Sequence, residues 1–241
     1  MANEEESSTK RNECIETSQS KPNLCPGCAK KSLRQSPINI IENKAKYQEF
    51  RPFTFTGFEN LSISNGTLKA WNTGGTLKLL AKSGVAYLEG GSLNVRYDFI
   101  EMHFHWGDVS KLEEPRGSEH KINGRTYPLE LHMVHKNLHD ETIEDALTHE
   151  NGLCVLAFLF EIVKENDNDL ELPGLDGILD VVDSVVEADS IFDKAKKEEK
   201  IKEGRRFKAV NVANFLPFLV DEYFTYRGSL TTGKHMKIKL G

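Results

Sequence analysis

Glu101-Met102-His103-Phe104-His105-Trp106-Gly107 sets two histidines one residue apart inside a run of aromatic and branched apolar residues that begins at Phe99. Such a run reads as a β-strand, whose side chains alternate faces with period 2. His103 and His105 then share a face with Glu101, while Met102, Phe104 and Trp106 take the other. A second run, Tyr127-Pro-Leu-Glu-Leu-His-Met-Val-His135, also reads as a strand and puts Glu130 and His132 on one face. If the two strands are neighbours, three imidazoles converge with carboxylates just behind them. Three neutral imidazoles with a fourth position open are the pattern of a catalytic Zn2+ site. Glu101 and Glu130 are placed to accept the outward-facing N–H groups of such ligands. A His-x-His on a strand is more often two half-buried histidines satisfied by their neighbours, so spacing alone leaves the metal open.

Outside these strands, the composition fits one domain. A chain of 241 residues with 38% hydrophobic content can bury a sizeable core. Its best apolar run, Leu153 to Val163, is broken by Glu161 and falls short of the roughly 18 residues that a membrane span requires. The net charge is −6 and Lys and Arg are dispersed, so no nucleic-acid partner is expected. Ala195 to Glu203 reads as a solvated charged helix. Residues 1–31 are polar, with Glu4-Glu5-Glu6 and no aromatic residue, and read as a disordered or loosely attached tail without a secretory h-region. Cys25-Pro-Gly-Cys28 lacks the second pair that a zinc site needs and reads as free thiols or a local disulfide. Cys14 is isolated, and Cys154 reads as a small buried hydrophobe. Unpaired cysteines and no visible signal point to a cytoplasmic chain, with a secreted one as the alternative if the N-terminus is incomplete, and a monomer is expected.

The remaining elements are mostly strands. Leu61-Ser-Ile-Ser-Asn-Gly66 alternates and ends in Asn65-Gly66, a hairpin-turn signal. A second turn falls at Gly74-Gly75. Leu93 to Trp106 and Arg125 to His135 are the strands that carry the histidines. Leu153 to Val163 reads as a strand buried on both faces, and Leu175 to Val186 has helical apolar spacing. The expectation is a mainly β (α+β) domain over 32–232, between the tail and a segment at 233–241.

Seven ordered stretches carry a resemblance. They are Gln35-Ser-Pro-Ile-Asn-Ile40, Gly90-Gly91, Met102-His-Phe-His-Trp-Gly107, Gly117-Ser-Glu-His120, Glu130-Leu-His-Met-Val-His135, Gly152-Leu-Cys-Val-Leu-Ala157 and Tyr226-Arg-Gly-Ser-Leu-Thr-Thr232. Together the chain resembles the α-class carbonic anhydrases. The resemblance implies a large twisted, mostly antiparallel sheet with short peripheral helices. It also implies Zn2+ on His103, His105 and His132, and reversible hydration of CO2 to bicarbonate and a proton. In that class zinc lowers the pKa of its water from about 15.7 to about 7, a magnitude that belongs to those enzymes themselves, and the resulting hydroxide attacks CO2. The matching positions give Thr231 as the hydroxyl that orients the hydroxide and Glu119 as its acceptor. They give Glu101 and Glu130 as supports behind the ligands, and Val134 and Thr232 as residues of the substrate pocket. His120 and His135 match supporting positions. His139 and His149 read as solvated, and His235 falls in the terminal segment.

Three departures temper this. Fast members carry a proton-shuttling histidine in an Asn-x-Gly-His turn, where this chain reads Asn72-Thr-Gly-Gly75. Glycine accepts no proton, so slower proton export is expected. Glu101 replaces the family's usual glutamine, and an ionised carboxylate there should make the metal less acidic. The family loop also continues Thr-Thr-Pro-Pro with further strands, whereas this chain reads Thr231-Thr232-Gly233 and ends at Gly241. The expectation is a chain short of the family's C-terminal part, less stable and less active than one that carries it. The alternative is a catalytically impaired relative that serves as a binding or interaction protein. A cupin-like oxygenase would leave Gln35-Ser-Pro-Ile and Ser229-Leu-Thr-Thr unexplained.

Overall fold

Period-2 alternation in a chain rich in β-branched and aromatic residues builds the sheet. The computed structural model describes residues 34–107, 117–162, 175–206, 210, 212–216 and 222–231, with the backbone of Glu13–Ile15. In chain order the strands are β1 (Glu13–Ile15), β2 (Asn39–Ile40), β3 (Ala45–Tyr47), β4 (Arg51–Thr56), β5 (Leu68–Asn72), β6 (Leu77–Ala81) and β7 (Tyr87–Gly91). They continue with β8 (Tyr97–Trp106), β9 (Lys121–Ile122), β10 (Leu129–Asn137), β11 (Leu153–Phe160), β12 (Ile191–Phe192) and β13 (Phe224–Thr225). Among the described residues three short α-helices, α1 (Ile143–Ala146), α2 (Leu175–Val182) and α3 (Lys194–Lys202), lie outside the sheet.

Eight strands form one antiparallel sheet in the order β11-β10-β8-β6-β5-β12. The first part of β8 pairs with β7, which pairs with β4, and its later part pairs with β6. This is the mostly antiparallel sheet with peripheral helices that the sequence implies. Parity then sorts the two faces of the central strands. Leu79, Met102, Phe104, Leu131 and Met133 enter the main core, while Lys78, Glu101, His103, His105, Glu130, His132 and Val134 share the other face. A one-residue bulge in β8 beside Val134 and His135 preserves this sorting. Glu101 pairs with Val134 and Phe99 with His135, so Phe99 turns into the core and Ile100 packs near Val134.

Several expectations need correction. Residues 61–66 form turns rather than a strand. The Thr67 hydroxyl donates to the carbonyls of Asn60 and Ser62, and Asn65 Oδ1 accepts from the Thr67 N–H. These side-chain bonds give the backbone an alternative to a ladder, although Leu61 and Ile63 still reach the core. β11 is not buried on both faces: only Leu153 and Cys154 are buried, because among the described residues it pairs with β10 alone. α2 ends at Val182, and Ile178, Val181 and Val185 point into the core while Leu179 and Val186 stay exposed. Trp106, at the end of β8, is 54% exposed. The β5–β6 hairpin turns at Gly74-Gly75 as its glycines suggest, and α3 buries no residue.

Of the tail assigned to 1–31, only the backbone of Glu13–Ile15 lies among the described residues, paired with β3 and β13. Cys25, Cys28, Thr232 and residues 233–241 lie outside them. No helix among the described residues is long and apolar enough to cross a membrane.

Candidate metal centre

His132 lies directly opposite His103 across the β8–β10 ladder, and Glu130 lies opposite His105. Paired residues in adjacent antiparallel strands bring their side chains together on one face. The three imidazoles therefore meet, with ring centroids 5.1 Å (His103–His105), 5.2 Å (His103–His132) and 4.7 Å (His105–His132) apart. One ring nitrogen of each lies within 4.8 Å of the other two.

The carboxylates settle which nitrogens face inward. His103 Nδ1–H donates to Glu101 Oε1 at 3.1 Å, which leaves Nε2. His132 Nε2–H donates to Glu130 Oε1 at 2.6 Å, which leaves Nδ1. His105 Nε2 is buried without a hydrogen-bond partner, and Glu119 Oε2 is too, 3.4 Å from it. That oxygen is also 3.8 Å from His132 Nδ1. An orphaned buried lone pair on His105 Nε2 is costly, and a cation among the three nitrogens would satisfy it. The donor set of three nitrogens with carboxylates behind suits Zn2+.

Electrostatics keeps the His105 imidazole ready to bind a cation. Burial holds the His105 imidazole below its ordinary range, and the neighbouring His132 pushes the same way. Burial alone would raise Glu130, but hydrogen bonds from His120 and His132 outweigh it and hold this carboxyl far below the carboxylate range. For Glu101, burial is likewise outweighed by hydrogen bonds from His103 and Lys78. A neutral His105 imidazole beside the ionised Glu101 and Glu130 carboxylates suits ligand binding.

Glu130 also organises the loop. Its Oε2 accepts the backbone N–H groups of Glu119 and His120, at 2.8 and 2.9 Å, and so holds Glu119 beside the imidazoles. His120 Nδ1–H donates to Glu130 Oε1, and His120 Nε2 accepts from the Tyr226 hydroxyl, both at 2.6 Å. Burial pushes the Tyr226 phenol up to about 12, so it remains a donor. Its oxygen lies 2.7 Å from Ser36 Oγ, and Ser36 and Ser229 exchange two further bonds through their N–H groups and hydroxyls. Gly228 has no room for a side chain, since a Cβ would stand 2.1 Å from Ser36 Oγ and 2.7 Å from the Tyr226 ring. The Gln35-Ser-Pro stretch thus braces the segment around Gly228 and Ser229.

Thr231 is half-buried. Glu119 Oε2 has no partner, so any link to the Thr231 hydroxyl does not run through this oxygen. Val134 is buried on the histidine face, in a small apolar cluster with Ala146 and Leu153 against which Leu230 packs. Gly75 faces open space, with nothing within 4 Å of where its Cβ would be. His139 is exposed, and the exposed His149 donates to Asp140. The sequence reading gave Lys78, Ser36 and Tyr226 no role, because each acts through a partner distant in the chain.

A mostly antiparallel sheet that presents three converging imidazoles from neighbouring strands defines a β-sheet protein with a histidine metal-type centre. The family described as eukaryotic-type carbonic anhydrase matches residues 18–237, and the chain belongs to that family. It is 34% identical over 211 residues to Carbonic anhydrase 12 of Homo sapiens, covering 86% of this chain and 51% of that protein. It is 31% identical over 205 residues to the mitochondrial Carbonic anhydrase 5B of Rattus norvegicus, covering 83% and 55%. It is 27% identical over 232 residues to Carbonic anhydrase 4 of Rattus norvegicus, covering 91% and 65%. The chain spans about half the length of the first two relatives.

Proposed function

We propose that the chain hydrates CO2 reversibly to bicarbonate and a proton, with Zn2+ held by His103 Nε2, His105 Nε2 and His132 Nδ1. The observation that carries this reading is the convergence of three imidazoles, with His105 Nε2 buried and unpartnered at their centre. Bound Zn2+ supplies a Lewis acid that makes a water reactive near neutral pH. Glu101 and Glu130 fix the ring tautomers by accepting the outward N–H of His103 and His132. Through its other oxygen, the Glu119 carboxylate would accept from the Thr231 hydroxyl and leave that hydroxyl's lone pairs for the reacting water. Val134 and, from the sequence, Thr232 belong to the wall against which the apolar substrate rests. With glycine at position 75, the proton leaves through water or buffer rather than an imidazole.

Stripping the purified chain with a chelator and reloading it tests this. CO2 hydration should vanish and return with Zn2+, and activity unaffected by stripping would refute the reading.

A further inference from the structure

Lys78 stands opposite His103 across the β6–β8 ladder, on the face that carries the three imidazoles. Its ammonium donates to both oxygens of Glu101, at 2.8 and 2.9 Å. Glu101 Oε1 is the atom that accepts from His103 Nδ1–H. The three groups form one line: ammonium, carboxylate, imidazole. The side chains of Lys78 and Glu101 are only 26% and 18% exposed, so solvent screens this pair less than a surface ion pair. Glu130, behind His132, is arranged differently. It is satisfied by two imidazole N–H groups and two backbone N–H groups.

We propose that Lys78 is a positioning residue of the metal centre, cancelling the charge of Glu101 so that His103 meets a neutral, oriented acceptor. An isolated carboxylate against the His103 N–H would raise the basicity of its other nitrogen and add a negative charge near the cation. The bidentate ammonium removes both effects and holds the carboxylate in place. On this reading Glu101 would not make the metal less acidic, because its charge does not act alone. The pair forms a unit: either half alone leaves a charge uncompensated next to a dication, and the two losses have opposite signs.

This inference rests on the reading of the triad as a Zn2+ site, and one set of measurements separates the two. Zn2+ affinity is measured by chelator competition on the full chain, the single variants Lys78→Met, Lys78→Arg and Glu101→Gln, and the double variant Lys78→Met/Glu101→Gln. Glu101→Gln should weaken binding about tenfold, the scale of support behind a metal ligand, because it strands the ammonium. Lys78→Met should bind roughly threefold tighter through the unmasked carboxylate. The double variant should recover to within about threefold of the parent, a rescue that a merely structural pair would not give. Lys78→Arg keeps the charge and should match the parent. With Lys78→Met it reads the same effect should Glu101→Gln not fold. If Lys78→Met and Lys78→Arg both weaken binding, or the double variant is worse than either single one, the charge role is overturned. A parent chain that takes up no Zn2+ overturns the triad reading itself, and this inference with it.

Discussion

Gly75 occupies an open position on the β5–β6 turn, where a new side chain meets nothing within 4 Å. Gly75→His should therefore fold normally and raise CO2 hydration, as should millimolar imidazole buffer added to the parent. Initial rates in weak and strong buffer check this. A parent indifferent to imidazole, with no gain in the variant, would mean that proton export does not limit turnover. At this scale the histidines and their carboxylates were readable from the chain, because period-2 alternation is a local property. Lys78 was not. Its place beside Glu101 depends on β6 pairing with β8 in one register, and residues 78 and 101 lie in separate runs of sequence.

Pairings between elements explain what the local pattern missed. Gln35-Ser-Pro is recognisable as a motif, but only the folded chain shows that Ser36 closes two hydrogen bonds with Ser229 and lies within bonding distance of the Tyr226 hydroxyl. Gly228→Ala would drive a methyl into Ser36 Oγ and the Tyr226 ring, and overpacking of this kind costs about 1–3 kcal/mol. Urea denaturation should show a loss in that range, and an unchanged midpoint would mean that this contact is soft. The turn at 61–66 shows the converse limit. Its alternation reads as a strand, yet the Thr67 and Asn65 side chains capture the backbone first. β11 was legible as a strand but not as one that, among the described residues, pairs with β10 alone, since an apolar run looks the same at the edge of a sheet and in its middle.

For the whole molecule, stability should depend on acid through a histidine outside the metal centre. Burial drives the His135 imidazole down to about 4, and the backbone at Cys154 and Met133 offsets this only in part, out of hydrogen-bond geometry. Its ring packs with Phe58 and Phe99, at centroid distances of 6.2 and 5.4 Å. The folded value lies below the unfolded one, so the unfolded chain takes up this proton first. Stability is full above about 6.5 and falls as pH drops towards 4, by about 3 kcal/mol in all. His105, also depressed, acts in the same direction. Urea denaturation of the zinc-free chain between pH 7 and 4.5 should show this loss, and His135→Phe should flatten it. An equally steep profile in the variant would assign the loss elsewhere.

Membership of the carbonic anhydrase family and the antiparallel sheet frame the central claim, which is that three imidazoles on two strands hold one Zn2+. Zinc content of the purified parent, set beside that of His132→Ala, tests it most directly. One Zn2+ per chain in the parent and a sharp loss in the variant is the predicted result. A parent without Zn2+, or a variant that keeps all of it, would contradict the claim.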